Sequence, residues 1–211
     1  MGIAKCHIAM SLDGYVAGPN ESEENPLGEG GERLHEWAYE LDAWREAHGK
    51  EGGATNPSSA VVDEVQRNVG AVIMGRNMFG GGPGGWDPDW RGWWGDEPPF
   101  HAPVFVLTHH ERETLEMQGG TSFHFVTDGL ASAYERAREA AGDRDVSIGG
   151  GASTVNQSLE AGLLDELEVH IVPVLLGDGA RLFEGVSDAK LEVVRAVEAP
   201  GVTHIKYRVG K

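Results

Sequence analysis

The sequence predicts an α/β fold: a single three-layer domain in which a central mixed, mostly parallel sheet is flanked by helices and ends in an antiparallel strand pair. Three observations predict it. Short apolar runs rich in Val, Ile and Phe alternate with helix-period segments, the pattern that builds βαβ units. Two of those runs break at glycine and pass straight into a helical pattern, at 73–79 and 148–154. The C-terminal part holds more strands than helices, which places antiparallel pairing there. A chain of 211 residues can bury one generous core, so residues 1–211 read as one domain with loop-rich insertions at 19–58 and 80–100.

Residues 3–10 read as the first strand and Leu12-Asp13-Gly14 as a turn, because Asp-Gly supplies the positive φ of a tight reversal. Residues 18–31 mix Gly, Pro, Asn and Glu, too polar to pack, so a mobile loop is expected. Leu34, Trp37, Ala38, Leu41 and Trp44 share one helical face, which predicts a helix from 32 to about 49 with both Trp in the core. Val61, Val62, Val65 and Val69 mark a second short helix, followed by a strand over 71–74. Residues 80–99 are dominated by Gly and Pro around Trp86, Trp90, Trp93 and Trp94, and cannot be regular structure. We expect the four Trp to cover a sheet edge or a subunit contact; a sugar-binding or aromatic-stacking site is the alternative. Then come strands over 104–107 and 123–126, an Ala-rich amphipathic helix over 130–141, a strand over 146–148 and a helix over 153–161. A long strand over 167–176 and a closing antiparallel pair, 191–197 with 203–209, complete the chain.

Composition narrows the function. Seventeen Lys plus Arg against 34 Asp plus Glu leave a net charge of -17, which repels a phosphate backbone and makes nucleic acid a poor partner. No apolar run approaches a membrane span and no leader pattern opens the chain, so a cytoplasmic, membrane-free protein is expected. The one cysteine, Cys6, sits in a strand-like stretch and reads as a small buried hydrophobe, so neither a disulfide framework nor a cysteine-based zinc site is expected, and no metal is assigned.

Chemistry gathers at the two strand–glycine–helix joints. Glycine lets backbone approach a ligand closely, and free N–H groups at a helix start attract an anion such as phosphate. Gly75-Arg76-Asn77 form one joint, with Arg76 able to add a guanidinium, and Gly149-Gly150-Gly151-Ala152-Ser153-Thr154 form the other. Neither is a Rossmann or P-loop signature, and a plain tight turn is the competing reading of each.

In this order, however, the landmarks form a set. They are Ala9-Met10-Ser11-Leu12-Asp13-Gly14-Tyr15-Val16-Ala17-Gly18, Val72-Ile73-Met74-Gly75-Arg76, Val104-Phe105-Val106-Leu107-Thr108, Ile148 to Gly151, and Pro173-Val174-Leu175-Leu176-Gly177-Asp178-Gly179 with Leu182-Phe183. On them the chain resembles the dihydrofolate-reductase-like superfamily, most closely the reductase domain of bifunctional riboflavin biosynthesis proteins and its stand-alone bacterial relatives. The resemblance implies NADPH lying across the carboxyl ends of the central strands. The backbone of Ala9 and the loop Val16, Ala17 and Gly18 would flank the nicotinamide. Gly75, Arg76 and Asn77 would hold one side of the pyrophosphate, and Gly149 to Thr154 the other. Thr108 and His109 would sit near the adenosine 2′-phosphate, although His109-His110 also reads as an exposed loop pair. Asp178 would tie a lid, the loop after Gly14, by accepting hydrogen bonds from the amides of 17–20; a surface turn acid is the alternative. A homodimer through the closing strands is expected as well.

Departures from the pattern bear on the substrate. The carboxylate that true dihydrofolate reductases carry on the helix before the Met-Gly-Arg strand falls on Ser59, and its supporting threonine on Val169. Asp63, one turn beyond Ser59, is the best local replacement for an acid that binds substrate or handles a proton, with Ser59 and Phe79 beside it in the pocket. The zinc deaminase half of the riboflavin proteins is excluded by the single cysteine. The reading is therefore an NADPH-dependent reductase of a small pyrimidine- or pterin-like heterocycle, similar to 5-amino-6-(5-phosphoribosylamino)uracil reductase. An authentic dihydrofolate reductase and a non-catalytic dinucleotide-binding or sensor protein are the alternatives.

Overall fold

The computed structural model describes residues 2–47, 49–82 and 84–210. Its centre is a nine-stranded sheet. In chain order the strands are β1 (Ala4–Ser11), β2 (Tyr15–Ala17), β3 (Val69–Gly75), β4 (Pro103–Leu107), β5 (Leu115–Glu116), β6 (Ser122–Val126), β7 (Asp145–Gly150), β8 (Glu166–Val172), β9 (Ala180–Arg181), β10 (Lys190–Ala199) and β11 (Val202–Gly210). The helices are α1 (Glu36–Tyr39), α2 (Asp42–Ala47), α3 (Pro57–Gln66), α4 (Arg76–Phe79), α5 (Leu130–Ala141) and α6 (Ala152–Glu160). The sheet runs β10-β11-β8-β1-β7-β3-β4-β6-β5, while β2 and β9 form a separate pair. All pairings from β8 through β6 are parallel; β11 on β8, β10 on β11 and β5 on β6 are antiparallel. The expected mixed sheet with a closing antiparallel pair is what the chain forms.

Alternation along each strand sorts side chains into two cores. On one face Cys6, Ile73, Ile148, Leu167 and Val169 pack beneath α5 and α6, which contribute Ala133, Ala137, Val155 and Leu159. Burial pushes the Cys6 thiol up to about 12, so it behaves as a hydrophobe. The opposite face has two covers. Over β3, β4 and β6 lies the Trp-rich loop, with Trp86, Trp90 and Trp94 packed on Val72, Met74, Phe79 and Phe123. Over β1, β8 and β11 lie Leu34 and Trp37, with α3 beside them. The Trp residues thus close a hydrophobic layer where the β3–β4 crossover carries no long helix of its own.

Two elements depart from the periodicity. The helix expected over 32–49 is three pieces: a 3-10 turn at Gly31–Leu34, then α1 and α2. Asp42 N donates to Ala54 O and Ala54 N to Glu40 O, so the backbone at 40–42 pairs with a neighbouring segment instead of continuing a helical ladder. Leu34 and Leu41 are still fully buried, but Trp44 rests on Tyr39 and under Lys50 instead of entering the core. The long strand expected to reach 176 stops at Val172, because Leu176 and Gly177 turn their amides to the Asp13 carboxylate. Residues 18–31, expected as a free polar loop, fold back on themselves through Gly18 N to Leu27 O and Glu29 N to Pro19 O.

Helix α3 is fixed at both ends. Pro57 opens it, and Asn56 and Ser59 cap it reciprocally, each side chain accepting from the other's neighbourhood of backbone amides. At its other end Glu64 pairs with Arg195 of β10 and with Lys206 of β11, which also reaches Glu166. Lys206 first, and Arg195 with it, hold the Glu64 carboxyl at about 2 against the opposing cost of partial burial. Its folded value lies below the ordinary one, so the pairing stabilises above about pH 4.5 and is lost as pH falls toward 2. Glu64→Gln should therefore lower stability at pH 7 by about 1 kcal/mol or less, solvent screening included. Urea titrations from pH 7 to 2 should show the variant and the wild type converging at the acid end.

Candidate functional site

The ends of β3 and β7 are neighbours in the sheet, and their glycines face one another. A Cβ on Gly75 would stand 2.8 Å from Thr154 Oγ1 and 3.7 Å from Gly151 N, so only glycine lets α6 approach β3 this closely. Gly150 holds a φ of 126°, which a side chain rarely adopts, and its peptide to Gly151 is cis. A Cβ on Gly151 would meet nothing within 4 Å, so the joint is open on that side. No side chain caps α6, whose first-turn amides follow directly from this opening. Met78 and Ile8 flank Gly150, two apolar neighbours the sequence reading did not single out. The structure thus brings Gly75 together with Gly149, Gly150, Gly151, Ala152, Ser153 and Thr154.

Around this opening the polar groups are already partnered, and not as expected. The Arg76 guanidinium points into its own loop, donating to the carbonyls of Gly80, Gly81 and Gly82, and stacks 3.3 Å from the centre of the Trp86 ring. Arg112 approaches the same ring at 5.0 Å. Arg76 therefore organises the Gly-rich turn instead of standing free for an anion. Asn77 donates its amide to Glu21 of the loop after β2 at 3.3 Å. Thr108 is buried with its hydroxyl oxygen accepting from His110 N, whereas His109 is exposed, as a loop residue would be.

Ala9, Val16 and Ala17 are buried, Ala9 beneath Leu34 and Val16 in the core under α6, while Gly18 N is bonded to Leu27 O. The expected tie from Asp178 to the amides of 17–20 does not form. Asp178 is exposed and, among the described residues, accepts only from the adjacent Gly179 N. The carboxylate that joins the two turns is Asp13, accepting from Leu176 N and Gly177 N, with Ser11 Oγ at 2.6 Å. That Ser11 hydroxyl, then the two amides, hold Asp13 at about 2. Backbone contacts add to this, since β2 pairs with β9 and a Cβ on Gly179 would lie 2.1 Å from Ala17 O, and Arg181 stacks over the Tyr15 ring.

The substrate side is also rearranged. Ser59 is spent on the α3 cap and on Asp42. Asp63 is exposed on the outer side of α3, because Ser58, Val61 and Val65 are the residues that turn inward. Phe79 is fully buried between Trp86, Phe123 and Phe125, so it is core and not pocket. Val169 faces the α5–α6 core, and its neighbour His170 faces α3. There His170 meets His204 of β11, Nδ1 to Nδ1 at 2.8 Å, and His204 Nε2 lies 2.9 Å from Ser58 Oγ. Trp37 covers both rings at 5.3 and 5.0 Å, and His7 of β1 lies 5.8 Å from His170. Burial, then the Lys5 and His35 charges, depress His7 to about 4; burial, then Arg195, does the same to His204; burial pushes His170 down as well. Burial thus favours the neutral form of all three imidazoles. Three histidines spread from position 7 to 204 have no common motif, so only the register of β1, β8 and β11 could have revealed them.

A family model described as the RibD C-terminal domain matches residues 4–205. The uncharacterized protein YyaP of Bacillus subtilis (strain 168) is 32% identical over 118 residues, 53% of this chain and 62% of its own length. The chain thus spans less than two thirds of that relative. A putative riboflavin biosynthesis protein from Shewanella sp. PV-4 shares the fold at a TM-score of 0.64 and 22% identity, over 99% of both chains. Enterococcus faecalis dihydrofolate reductase, solved with NADP(H), superposes at a TM-score of 0.51 and 14% identity, over 100% of this chain and 98% of its own.

If Arg76 organises the turn at 80–84, Arg76→Lys removes the planar fork and the stacking while keeping the charge. Amide exchange at 80–82 should accelerate by roughly tenfold or more, the loss of local protection expected for several charge-assisted bonds. Mass-spectrometric hydrogen exchange on that peptide checks it, and unchanged exchange would show that other contacts hold the turn.

Proposed function

The chain belongs to the RibD C-terminal domain family, and from there we propose that it is an NADPH-dependent reductase of a small nitrogen heterocycle, pyrimidine- or pterin-like. The observation that carries the reading is the opening at Gly75, Gly150 and Gly151, where two parallel strand ends and an uncapped helix leave room for an anion beside bare backbone. The residues fit a dinucleotide. Gly149 to Thr154 would hold one side of its pyrophosphate, and Gly75 with the Asn77 amide the other once Glu21 gives way. Thr108 and His109 would lie toward the adenosine 2′-phosphate, and Ala9 with Val16, Ala17 and Gly18 would flank the nicotinamide. When bound, NADPH supplies the hydride; the protein orients it and excludes water. Phosphorylated 5-amino-6-(5-phosphoribosylamino)uracil is the first substrate to try. Dihydrofolate draws less support, since α3 turns Ser58, Val61 and Val65 inward and its Glu64 is occupied by two cations.

Fluorescence titration should show NADPH bound more tightly than NADH, with His109→Ala weakening the former more. Gly151→Leu should weaken NADPH by roughly tenfold or more while leaving the melting temperature in place, since that side of Gly151 is open. Full NADPH affinity in this variant would remove the groove assignment. Turnover with the pyrimidine and not with dihydrofolate is the expected outcome, and binding without turnover across both would favour a sensor.

We also infer a homodimer through β10. It is one of the two edge strands of the sheet, and Leu191, Val193 and Val194 stand exposed along it. Unpaired edges with apolar side chains are covered in folded proteins, commonly by a second copy. Light scattering at micromolar concentration should report twice the chain mass, and Val193→Lys should return it to one.

A further inference from the structure

The buried hydroxyl and imidazoles behind Trp37 form a chain whose protons can be placed by counting partners. Ser58 is 1% exposed, His204 0% and His170 4%. Among the described residues the Ser58 hydroxyl has one partner, His204 Nε2. A buried O–H needs an acceptor, so His204 Nε2 accepts and its proton resides on Nδ1. That Nδ1–H then donates to His170 Nδ1 at 2.8 Å, which places the His170 proton on Nε2. The reverse assignment leaves the hydroxyl without an acceptor. Among the described residues no hydrogen-bond partner is found for His170 Nε2, and that atom is not fully buried, so the chain ends in an N–H at the edge of the packed layer.

The position of that N–H is informative. His170 stands opposite Ala9 in the parallel register of β8 on β1, and both lie on the face covered by Leu34 and Trp37. Neighbouring strands are about 4.8 Å apart, so the ring borders Ala9, where the proposed function puts the nicotinamide. The surroundings keep the ring uncharged. His7 faces it from β1, His204 from β11 and His35 from the segment before α1; Lys5 acts on His7 and Arg195 on His204, while Lys206 is paired with Glu64, and Glu168 of β8 and Glu64 of α3 with Arg195.

We propose that His170 is a catalytic hydrogen-bond donor of this reductase, its neutral Nε2–H meeting the carbonyl oxygen or imine nitrogen that gains negative charge as the neighbouring carbon is reduced, with His204 and Ser58 as positioning residues. The inference rests on the reductase reading and deepens it: the reducible group carries an unprotonated acceptor atom, and Trp37 offers its heterocycle a flat neighbour. During the reduction the electron pair of the double bond moves onto that acceptor atom, which takes its proton from solvent afterwards; His170 lends a bond and keeps its proton. A neutral imidazole in this role acts as an electrophile instead of an acid, so the rate of reduction does not follow imidazole protonation between pH 6 and 8.

The test has a substrate-free arm and a turnover arm. Long-range proton–nitrogen correlation spectra of protein labelled at histidine nitrogen should show His204 as the Nδ1–H tautomer and His170 as the Nε2–H tautomer, both neutral at pH 7. Ser58→Ala should convert His204 and His170 to tautomer mixtures without unfolding the chain. With NADPH and 5-amino-6-(5-phosphoribosylamino)uracil, His170→Phe should lose roughly 100-fold or more in kcat, the range seen on deleting one preorganised donor, at unchanged NADPH affinity. His170→Gln, which can present an amide N–H near the same point, should recover most of that loss. A bare His170 Nε2, or His170→Phe turning over as wild type, overturns the proposal. A wild-type chain that binds NADPH but reduces nothing overturns the reductase reading, and the spectra separate that failure from failure of the chain.

Discussion

The close approach of α6 to the end of β3 is the constraint on which the rest of the site depends. Thr154 is pressed against the place where Gly75 lacks a side chain, and that contact fixes where β7 stops and where α6 starts. Because the helix begins so near the sheet, its first amides open beside the backbone of Gly150 and Gly151 and not into bulk solvent. Any larger residue at 75 would move the helix outward and separate the two strand ends that together make the opening. The anion-attracting property of a helix start is common; its confinement between two glycine-ended strands is what makes this one a candidate site.

Charge is deployed around that opening with economy. In a chain of net charge -17, cations placed near the groove would be expected to serve the ligand, yet Arg76 is bound to loop carbonyls and to the Trp86 face. A guanidinium can saturate several carbonyls from one plane, and the irregular run from Gly80 to Gly82 supplies carbonyls with no strand or helix to receive them. Arg76 and Trp86 thus complete a layer that the crossover between β3 and β4 leaves without a long helix. On the proposed reading the groove would rely on backbone amides, and Glu21, bonded to Asn77, is an acidic side chain that an anionic ligand would have to displace. Burial raises the pKa of Glu21, against the Asn77 bond that lowers it.

Most of the sheet and both glycine joints were legible because apolar runs, helical period and glycine breaks are local signals. The helix α5 over 130–141 and the pairing of β10 with β11 follow from such signals alone. What was illegible depends on contacts distant in sequence. The periodicity of 32–49 is genuine, and Leu34 and Leu41 are buried as it requires, but Ala54 captures the backbone at 40–42 and splits the helix. Asp13 and Asp178 look alike in a sequence, each beside glycine in a turn, and only the fold decides which reaches across. The family's supporting threonine was expected to fall on Val169, whereas the pleat turns Val169 into the α5–α6 core and presents His170 to α3. A one-residue error reverses the face of every residue in a strand.

The histidine cluster shows how one face of a sheet can carry polar chemistry without buried charge. A carboxylate on α3 at this depth would add another anion to an acidic chain and would need a cation of its own, and the nearby Arg195 and Lys206 are already committed to Glu64, Glu166 and Glu168. Imidazoles avoid that cost because desolvation drives them to the neutral form, in which each ring still has one donor and one acceptor. Two such rings and a serine hydroxyl can be satisfied in series, each bond setting the proton of the next, as long as Ser58 is held at the start of α3. The Asn56 and Pro57 cap that begins the helix is therefore also what fixes the first member of the chain, and a local helix signal ends up orienting an imidazole on β8 through His204 on β11.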